Sequence, residues 1–440
     1  MKSRFIALLL CTAAAVARAA DVSTNAPNLT NAPGQFWNVH SQATAIVQGD
    51  PSFPAKYSGP NSLGSGGETR ETISVDLFAG VRLWHGAEAH VDGLVWQGFG
   101  LSKTEGIEAF PSGEAYRLGT QVPNITLARL FIRQTINLGG EEETMADDQL
   151  TLAGKHDASR IVLTLGEISA LDVFDNNTYA HDPTTQFMNW AFVGNEAWDY
   201  PANSLGYESG FAAELYLPPW AVRYGFFQLP DFANGMGTDE QFLEAWAMVM
   251  ELERRYAVHG HSGAIRLLAY DNQARMGSYQ QALSVPGTDI TQTRAYRDKF
   301  GFGLNWEQEI TTNIGVFSRL GWNDGRTESW AYADVDRSAS LGVSVSGALW
   351  NRPNDTYGVA GVVNGITKIH QEFLAAGGTG ILAGDGALNY GLEKSMETYY
   401  DFQVWKAIRA ALDYQFVIDP AYNRDRGPVS VFGARLHWQF

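Results

Sequence analysis

The chain has 440 residues, a formal charge of −17 at pH 7 and a single cysteine. The acidic excess disfavours a nucleic-acid partner, because phosphate groups attract basic surfaces. Aromatic residues make up 12% of the chain, and no stretch of helical periodicity exceeds roughly a dozen residues. We therefore predict a mostly β fold.

The first residues have the pattern of a secretory signal peptide. A basic start precedes an apolar run from Phe5 to Val16, which ends in small residues. We predict a signal peptide over residues 1–19, and its removal takes the formal charge to −20 because it carries three basic residues and no acidic one. A lipoprotein signal ending at Cys11 is the alternative, although Leu10 stands where such signals have a small residue. A mature chain without cysteine excludes disulfides, thiolate catalysis and cysteine metal sites.

Residues 20–68 are rich in Asn, Pro, Ser, Thr and Gly. Proline cannot donate a hydrogen bond to a neighbouring strand, so its recurrence here disfavours regular structure. We interpret residues 20–68 as an irregular amino-terminal segment packed in the mouth of the fold. No linker or change of composition divides the chain after that point, which predicts a single β-barrel over residues 69–440.

Apolar and polar residues begin to alternate at Arg70. The positions between the apolar ones carry polar, charged or small residues, with Phe78 among them. The apolar row is Ile73, Val75, Leu77, Ala79, Val81 and Leu83. His85 and Gly86 fit a turn, and a second alternating segment follows over 87–96. The two segments predict a hairpin with charged residues on one face.

Further alternating segments run to the end of the chain. They lie at about 127–136 and near 160–168, 206–217, 220–229, 244–258, 262–271, 299–310, 313–322, 338–349, 356–364, 395–404, 407–417 and 429–440. Together with the two strands of the first hairpin, these segments make fifteen strands, which is an odd number. Because bacterial single-chain barrels have even strand numbers, we expect one more strand and about sixteen in all.

Short turns and long connections separate these segments. Leu217–Trp220 and Glu309–Asn313 fit short turns, whereas the long connections lie at 98–125, 169–205, 272–298, 323–337 and 365–394. The last of them has apolar residues at helical spacing before Gly377. This spacing, shown by Ile366, Ile369, His370, Phe373 and Leu374, predicts a short packing helix.

The last strand runs to the carboxyl terminus itself. Its apolar row is Phe432, Ala434, Leu436, Trp438 and Phe440, and its other row is Gly433, Arg435, His437 and Gln439. Aromatic residues at both ends of an apolar row are typical of the two interfaces of a membrane. The pattern indicates the closing strand of a transmembrane antiparallel β-barrel, in which one row meets lipid and the other faces the lumen. We expect this strand to lie beside the one that Arg70 opens.

A soluble barrel with a packed core is the alternative. The second row carries Arg, Asp and Glu in strand after strand, which a packed core would not accommodate. If the apolar row were inside instead, about sixteen strands would need a core larger than one closed sheet can fill. The alternation therefore favours a water-filled lumen, although a secreted β lectin stays open as a further class.

Charged and aromatic side chains recur on the row opposite the lipid row. Guanidinium and carboxylate groups can bond to sugar hydroxyls, and aromatic rings offer flat surfaces to sugar faces. The simpler interpretation is that opposite charges only pair across the lumen and stiffen it. The residues that we assign to the lining of the pore are Arg82, Glu88, Asp92, Trp96, Arg129, Phe131, Arg133, Arg319, Glu397, Tyr399, Arg409 and Arg435.

No catalytic motif is present. A Gly-x-Ser-x-Gly elbow, a His-Glu-x-x-His pair and a P-loop are all missing from the sequence. His259 and His261 could suggest a metal, but no third ligand lies nearby in the sequence. We expect neither enzymatic activity nor a cofactor or metal.

Several blocks of the sequence resemble the carbohydrate-selective porins of the OprB type. The first hairpin over 83–98 resembles the early strands of that family. A middle set follows the family's order and spacing at 166–167, 172–174, 187–192 and 200–206, and a last set does so at 384–386, 389–390, 393–400 and 414–420. The resemblance covers the chain from about residue 70 to Phe440.

The resemblance implies a sixteen-stranded pore in the bacterial outer membrane that lets sugars such as glucose enter by passive diffusion. The implied partners are small sugars, outer-membrane lipids and the barrel-assembly machinery that reads the terminal aromatic residue, with a homo-oligomer as a further expectation. A general porin or one for another solute stays open as an alternative. So does an enzyme or adhesin built on a barrel.

Overall fold

The structure is a computed structural model that describes residues 35–115 and 119–440. The predicted signal peptide, residues 1–19, lies outside the described residues. Among the described residues, no helix is both long enough and apolar enough to cross a membrane.

Sixteen antiparallel strands form one closed barrel. Each strand pairs with its neighbours in the chain, and β16 closes the barrel against β1. The strands are β1 (Trp37–Asp50), β2 (Glu68–Trp84), β3 (Ala87–Gly98), β4 (Thr120–Met145), β5 (Gly154–Ile168), β6 (Glu208–Leu217), β7 (Trp220–Gln228), β8 (Trp246–Val258), β9 (His261–Met276), β10 (Ala295–Thr311), β11 (Ile314–Asn323), β12 (Arg337–Ser346), β13 (Thr356–Gly365), β14 (Glu393–Trp405), β15 (Ile408–Ile418) and β16 (Val429–Gln439). The predicted fold class and strand number are confirmed.

The two rows of each strand point where the alternation predicts. On β2, Leu77 is 57% exposed on the outside, whereas Asp76 is 5% exposed on the inside. On β16, Phe432 and Leu436 face outward and Arg435 is buried inside. The outer surface is therefore apolar and the inner face polar, because successive side chains of a strand point to opposite faces of the sheet.

The missing strand is β1, at residues 37–50. The prediction that 20–68 is irregular is wrong for this stretch, and the barrel begins there rather than at residue 69. The prolines flank β1 and none lies within it, so its inward Asn38 and Thr44 alternate undisturbed with outward residues such as Val39. The expected neighbour of the last strand is also wrong, since β16 pairs with β1 and not with β2.

The connections divide between two rims. One rim carries the turns after even-numbered strands, such as Leu217–Trp220 between β6 and β7, and the carboxyl terminus. The other rim carries the longer connections, which run over 51–67, 99–119, 169–207, 229–245, 277–294, 324–336, 366–392 and 419–428. We call these the short-turn rim and the long-loop rim.

Some of the long connections fold into the barrel. The one over residues 169–207, here called the inner loop, includes helix α1 (Trp190–Val193), all of whose residues are buried. Helix α3 (Lys368–Ala375), which confirms the predicted packing helix, lies against α2 (Tyr279–Ala282). The His370 ring stacks on Tyr279 with 4.1 Å between ring centroids. The hydrophobic core of the protein thus lies inside the barrel, formed by its own loops.

Candidate functional site

The interior of the barrel has two different walls. The inner faces of β10–β16, here called the loop-filled wall, are covered by the inner loop. The inner faces of β2–β6, here called the open wall, border a large cavity. The predicted pore residues divide between these two walls.

On the loop-filled wall, Glu397 holds the inner loop by its backbone. Its carboxylate accepts hydrogen bonds from the amides of Met188 at 2.7 Å and Asn189 at 2.9 Å. Tyr399, two residues further along β14, packs edge-on against Phe187 at 4.9 Å between centroids. Both side chains face inward as predicted, and both are covered by the loop.

Arg435 holds a second part of the inner loop. Its guanidinium donates to the carbonyl oxygens of Pro183 at 2.7 Å and Gln186 at 2.8 Å, and to the carboxylate of Asp401 at 2.9 Å. Arg409 donates to the same carboxylate through Nε at 2.6 Å. The side chains of Arg435 and Asp401 are fully buried, so this network fastens the loop to β14, β15 and β16.

Arg319 on β11 holds a third part of the inner loop. It donates to the carbonyl oxygens of Phe192 and Ala180, both at 2.8 Å, and pairs with the Asp175 carboxylate at 3.0 Å. Phe317, its neighbour on the same face, is wholly buried against the loop aromatic residues. A guanidinium suits this task because it presents several donors in a rigid plane.

On the open wall, Arg129 occupies the centre of a layer of carboxylates. It bonds Asp92 on the adjacent strand at 2.7 Å, and it binds both oxygens of Asp172, at the start of the inner loop, at 2.8 Å. The ring of Tyr207 lies 4.9 Å from the guanidinium carbon. The Arg129 side chain stays 15% accessible. Trp96 lies on the same face of β3 as Asp92 and is buried in a cluster with Ala128, Leu205 and Tyr207.

A second layer lies nearer the short-turn rim. Arg133 and Glu88 are direct cross-strand partners at 3.3 Å, and the guanidinium carbon of Arg133 is 4.9 Å from the Phe131 ring centre. Phe131 itself is buried and stacks on His90. Gly166 sits beside it with φ 144°, and a Cβ there would lie 2.1 Å from the Leu130 carbonyl oxygen. Only glycine therefore fits beside Phe131.

Below the second layer the lumen widens into a cavity of about 1290 Å³. Three predicted residues line it, namely Arg82, Glu88 and Arg133. Sequence reasoning missed several others. They are Lys155, His156, Arg160, Glu214 and Tyr216. Alternation in β5 and β6 already points all of them inward except Lys155, which lies next to His156 in the strand. Arg160 lies over the Tyr216 ring at 4.1 Å and pairs with Glu143 at 3.0 Å.

Buried carboxylates join the loops to the loop-filled wall. Glu393 accepts from the backbone amides of Glu108 and Ala109, and Glu108 accepts from the amide of Asp334 at 2.6 Å. Burial, together with the nearby carboxylates of Asp334 and Glu393, raises the pKa of Glu108 well above its ordinary value. In the described part of the chain, no cluster of His, Cys, Asp and Glu is arranged to hold a metal ion.

The family model described as "Carbohydrate-selective porin, OprB family" matches residues 61–440. The chain belongs to this family. As an OprB-family protein it is a carbohydrate-selective porin of the bacterial outer membrane, and both family and fold indicate a channel rather than an enzyme. The match begins somewhat earlier than the resemblance seen in the sequence, which started near residue 70.

Solved structures share the fold of this OprB-family chain. The high-pH structure of Pseudomonas putida OprB superposes with a TM-score of 0.71 at 18% identity, covering 92% of this chain and 94% of that one. The low-pH structure of the same protein gives a TM-score of 0.50 at 14% identity, with coverage of 92% and 93%. No curated protein matches by sequence.

Proposed function

We propose that monosaccharides, glucose among them, diffuse passively along the open wall of this porin. The observation that carries the proposal is the succession of two arginine–carboxylate layers whose guanidinium groups stay partly accessible, Arg129 with Asp92 and Asp172, then Arg133 with Glu88, leading into the large cavity. The cavity exceeds the roughly 300–1,000 Å³ of ordinary small-ligand pockets.

The chemistry of these layers suits neutral polyols. Paired guanidinium and carboxylate groups present both donors and acceptors to hydroxyl groups while their charges largely cancel. The Tyr207 ring beside Arg129 offers a flat surface to a sugar face. Groups already paired with each other bind a sugar weakly, and conduction requires that the solute leaves each position as readily as it enters.

The two walls then have different parts in transport. Arg82, Glu88, Arg129 and Arg133 contact the permeating sugar. Asp92, Trp96 and Phe131, all buried, hold the contact residues in position. Arg319, Glu397, Tyr399, Arg409 and Arg435 set the width of the pore indirectly, because they hold the inner loop in place.

Two expected partners belong to the same proposal. The apolar outer row of β16 ends in Phe440, which fits recognition by barrel-assembly machinery during insertion. Association into a homo-oligomer through the outer surface is a further expectation, which cross-linking in intact outer membranes would test.

Liposome swelling tests the transport proposal. Vesicles with the reconstituted protein are placed in glucose, larger oligosaccharides or charged solutes of similar mass. We expect swelling in glucose to be several times faster than in empty vesicles, and faster than in charged solutes. Swelling in glucose no faster than that of empty vesicles would refute sugar passage, and equal rates for charged solutes would instead indicate a general porin.

A further inference from the structure

The turn between β4 and β5 differs from its neighbours at the short-turn rim. Strands β6 and β7 are joined by a tight turn at Leu217–Trp220, whereas β4 and β5 are joined by residues 146–153. We call residues 146–153 the inner turn, because they fold back into the lumen and reach the inner face of β1. Strands β2 and β3 lie between β1 and β4, so the turn reaches across both of them.

Side chains of β1 hold the first half of the inner turn. The Asn38 amide donates to the Asp147 carboxylate at 2.8 Å and to the carbonyl oxygens of Asp148 and Thr151. His40 bonds the same Asp147 carboxylate through Nε2 at 3.1 Å. Asn38 is 4% exposed, so the turn covers this part of β1 from the lumen side.

Further contacts fix the rest of the inner turn. The Gln149 amide donates to Gln42 at 2.8 Å, and Arg133 donates to the Leu150 carbonyl oxygen at 2.8 Å. Leu152 is 2% exposed, and Leu150 packs against the hydrophobic core inside the barrel. The turn is therefore held by polar bonds at its edge and by apolar packing at its tip.

Two glycines let the chain bend inward at this point. Gly139 and Gly140 have φ values of 103° and 100°, in the region that favours glycine. The pairing of β4 with β5 shifts register on both sides of Gly139. Such irregularities bend a strand and change the direction of the residues after them, which accounts for a hairpin tip that turns into the lumen.

We infer that the inner turn sets the upper size limit for solutes at the short-turn end of the pore. The inference rests on the proposed function, since it names the element that limits passage along the open wall. A sixteen-stranded barrel leaves an aqueous channel unless something enters it. The inner turn enters on the β1 side, so solutes pass between its residues Thr151 and Leu152 and the facing Arg160 and Tyr216, which line the same cavity.

The first test releases the turn without shortening it. In the double variant Asn38→Ala, His40→Ala, the bonds to Asp147, Asp148 and Thr151 are lost. We expect single-channel conductance in potassium chloride to rise, and swelling rates for tri- and tetrasaccharides to rise about threefold or more relative to glucose. The matched control is Asn354→Ala, which removes an amide bond to Gln403 on an exposed turn of the same rim and should change neither quantity.

A second variant replaces residues 146–153 by Asn-Gly, a dipeptide that closes tight hairpins. It should widen the pore further, and heat-modifiable electrophoretic mobility shows whether the barrel is intact. Conductance and size ratios unchanged from the parent in both variants would overturn the inference, even if glucose still passes. Conversely, conductance that rises in a protein impermeable to glucose would refute sugar transport while supporting the role of the inner turn.

Discussion

The open wall and the loop-filled wall use the same residue types for different ends. Arg133 on the open wall pairs with Glu88 of the next strand and keeps a side chain 20% accessible to water. Arg435 on the loop-filled wall is fully buried and bonds main-chain oxygens of the inner loop. Arg133 also donates to the Leu150 carbonyl oxygen of the inner turn. An inward arginine can therefore hold a connecting segment and still leave part of its side chain accessible to solutes, or be covered by that segment completely.

The energetic consequences of the two environments differ. A partly exposed ion pair contributes about 0–1 kcal/mol, because water solvates both charges well. Removing one partner of a buried pair costs about 3–5 kcal/mol, because the other charge is left without compensation. Substitutions on the two walls should therefore separate into effects on stability and effects on flux.

The largest effect is expected from Arg435→Ala. The variant leaves the Asp401 carboxylate with Arg409 alone and frees the carbonyl oxygens of Pro183 and Gln186. We expect the free energy of unfolding, measured by urea titration in detergent, to fall by about 3–5 kcal/mol. Arg435→Lys is the matched control, and should recover only part of the loss because it lacks the planar fork. A loss of only about 0–1 kcal/mol, as for an exposed ion pair, would show that arginines on the two walls do not differ in their contribution to stability.

A smaller effect, dependent on pH, is expected from Glu108→Gln. The pKa of Glu108 is higher in the folded chain than its ordinary value of 4.5. At a pH between these two pKa values the folded chain holds a proton that the unfolded chain has released. The parent should therefore lose stability with rising pH, and the loss should be complete above the folded pKa. Below the ordinary pKa the group is protonated in both states and contributes nothing.

Glutamine keeps the shape of the Glu108 side chain without the charge. We expect Glu108→Gln to be about as stable as the parent at pH 4 and more stable by about 1–3 kcal/mol at pH 8. Urea titrations of both proteins across this pH range make the comparison. Parallel stability curves would show that Glu108 does not titrate in the folded protein.

The smallest change in free energy is expected from Arg133→Ala on the open wall. Its side chain is 20% accessible and that of its partner Glu88 is 12% accessible, so the barrel should keep its heat-modifiable mobility. We expect glucose flux in liposome swelling to change about two- to fivefold, which corresponds to about 1 kcal/mol or less. Arg129→Ala should change the flux in the same direction, but it should also lower stability, because it leaves the fully buried Asp92 carboxylate without its partner. Unchanged flux in both variants would assign these arginines to structure alone and place the solute path elsewhere.

The architecture could be predicted from the chain because period-two alternation is a local property. Phe432, Leu436 and Arg435 point where the sequence predicts, since the pleat leaves a side chain only two directions. The error at β1 has a local cause too. Dense prolines before Trp37 and after Asp50 masked an alternation that was present between them.

The candidate site was predictable only in part. The inward direction of all the predicted pore residues follows from alternation, but the partner of each does not. Glu397 and Arg319 bond residues of the inner loop that lie far away in the sequence. Periodicity carries no information about such distant contacts, and the inner turn was missed for the same reason.

The sequence by itself determined a closed barrel with an apolar outside, a charged inside and the family to which the chain belongs. Only the tertiary structure decided which part of the lumen stays open. The apolar character of the outer surface is set by contact with lipid, which acts on every strand in the same way. The inside is set by where irregular segments satisfy their backbone hydrogen bonds. The inner loop does so on the wall formed by β10–β16, and the inner turn does so on β1 and β4.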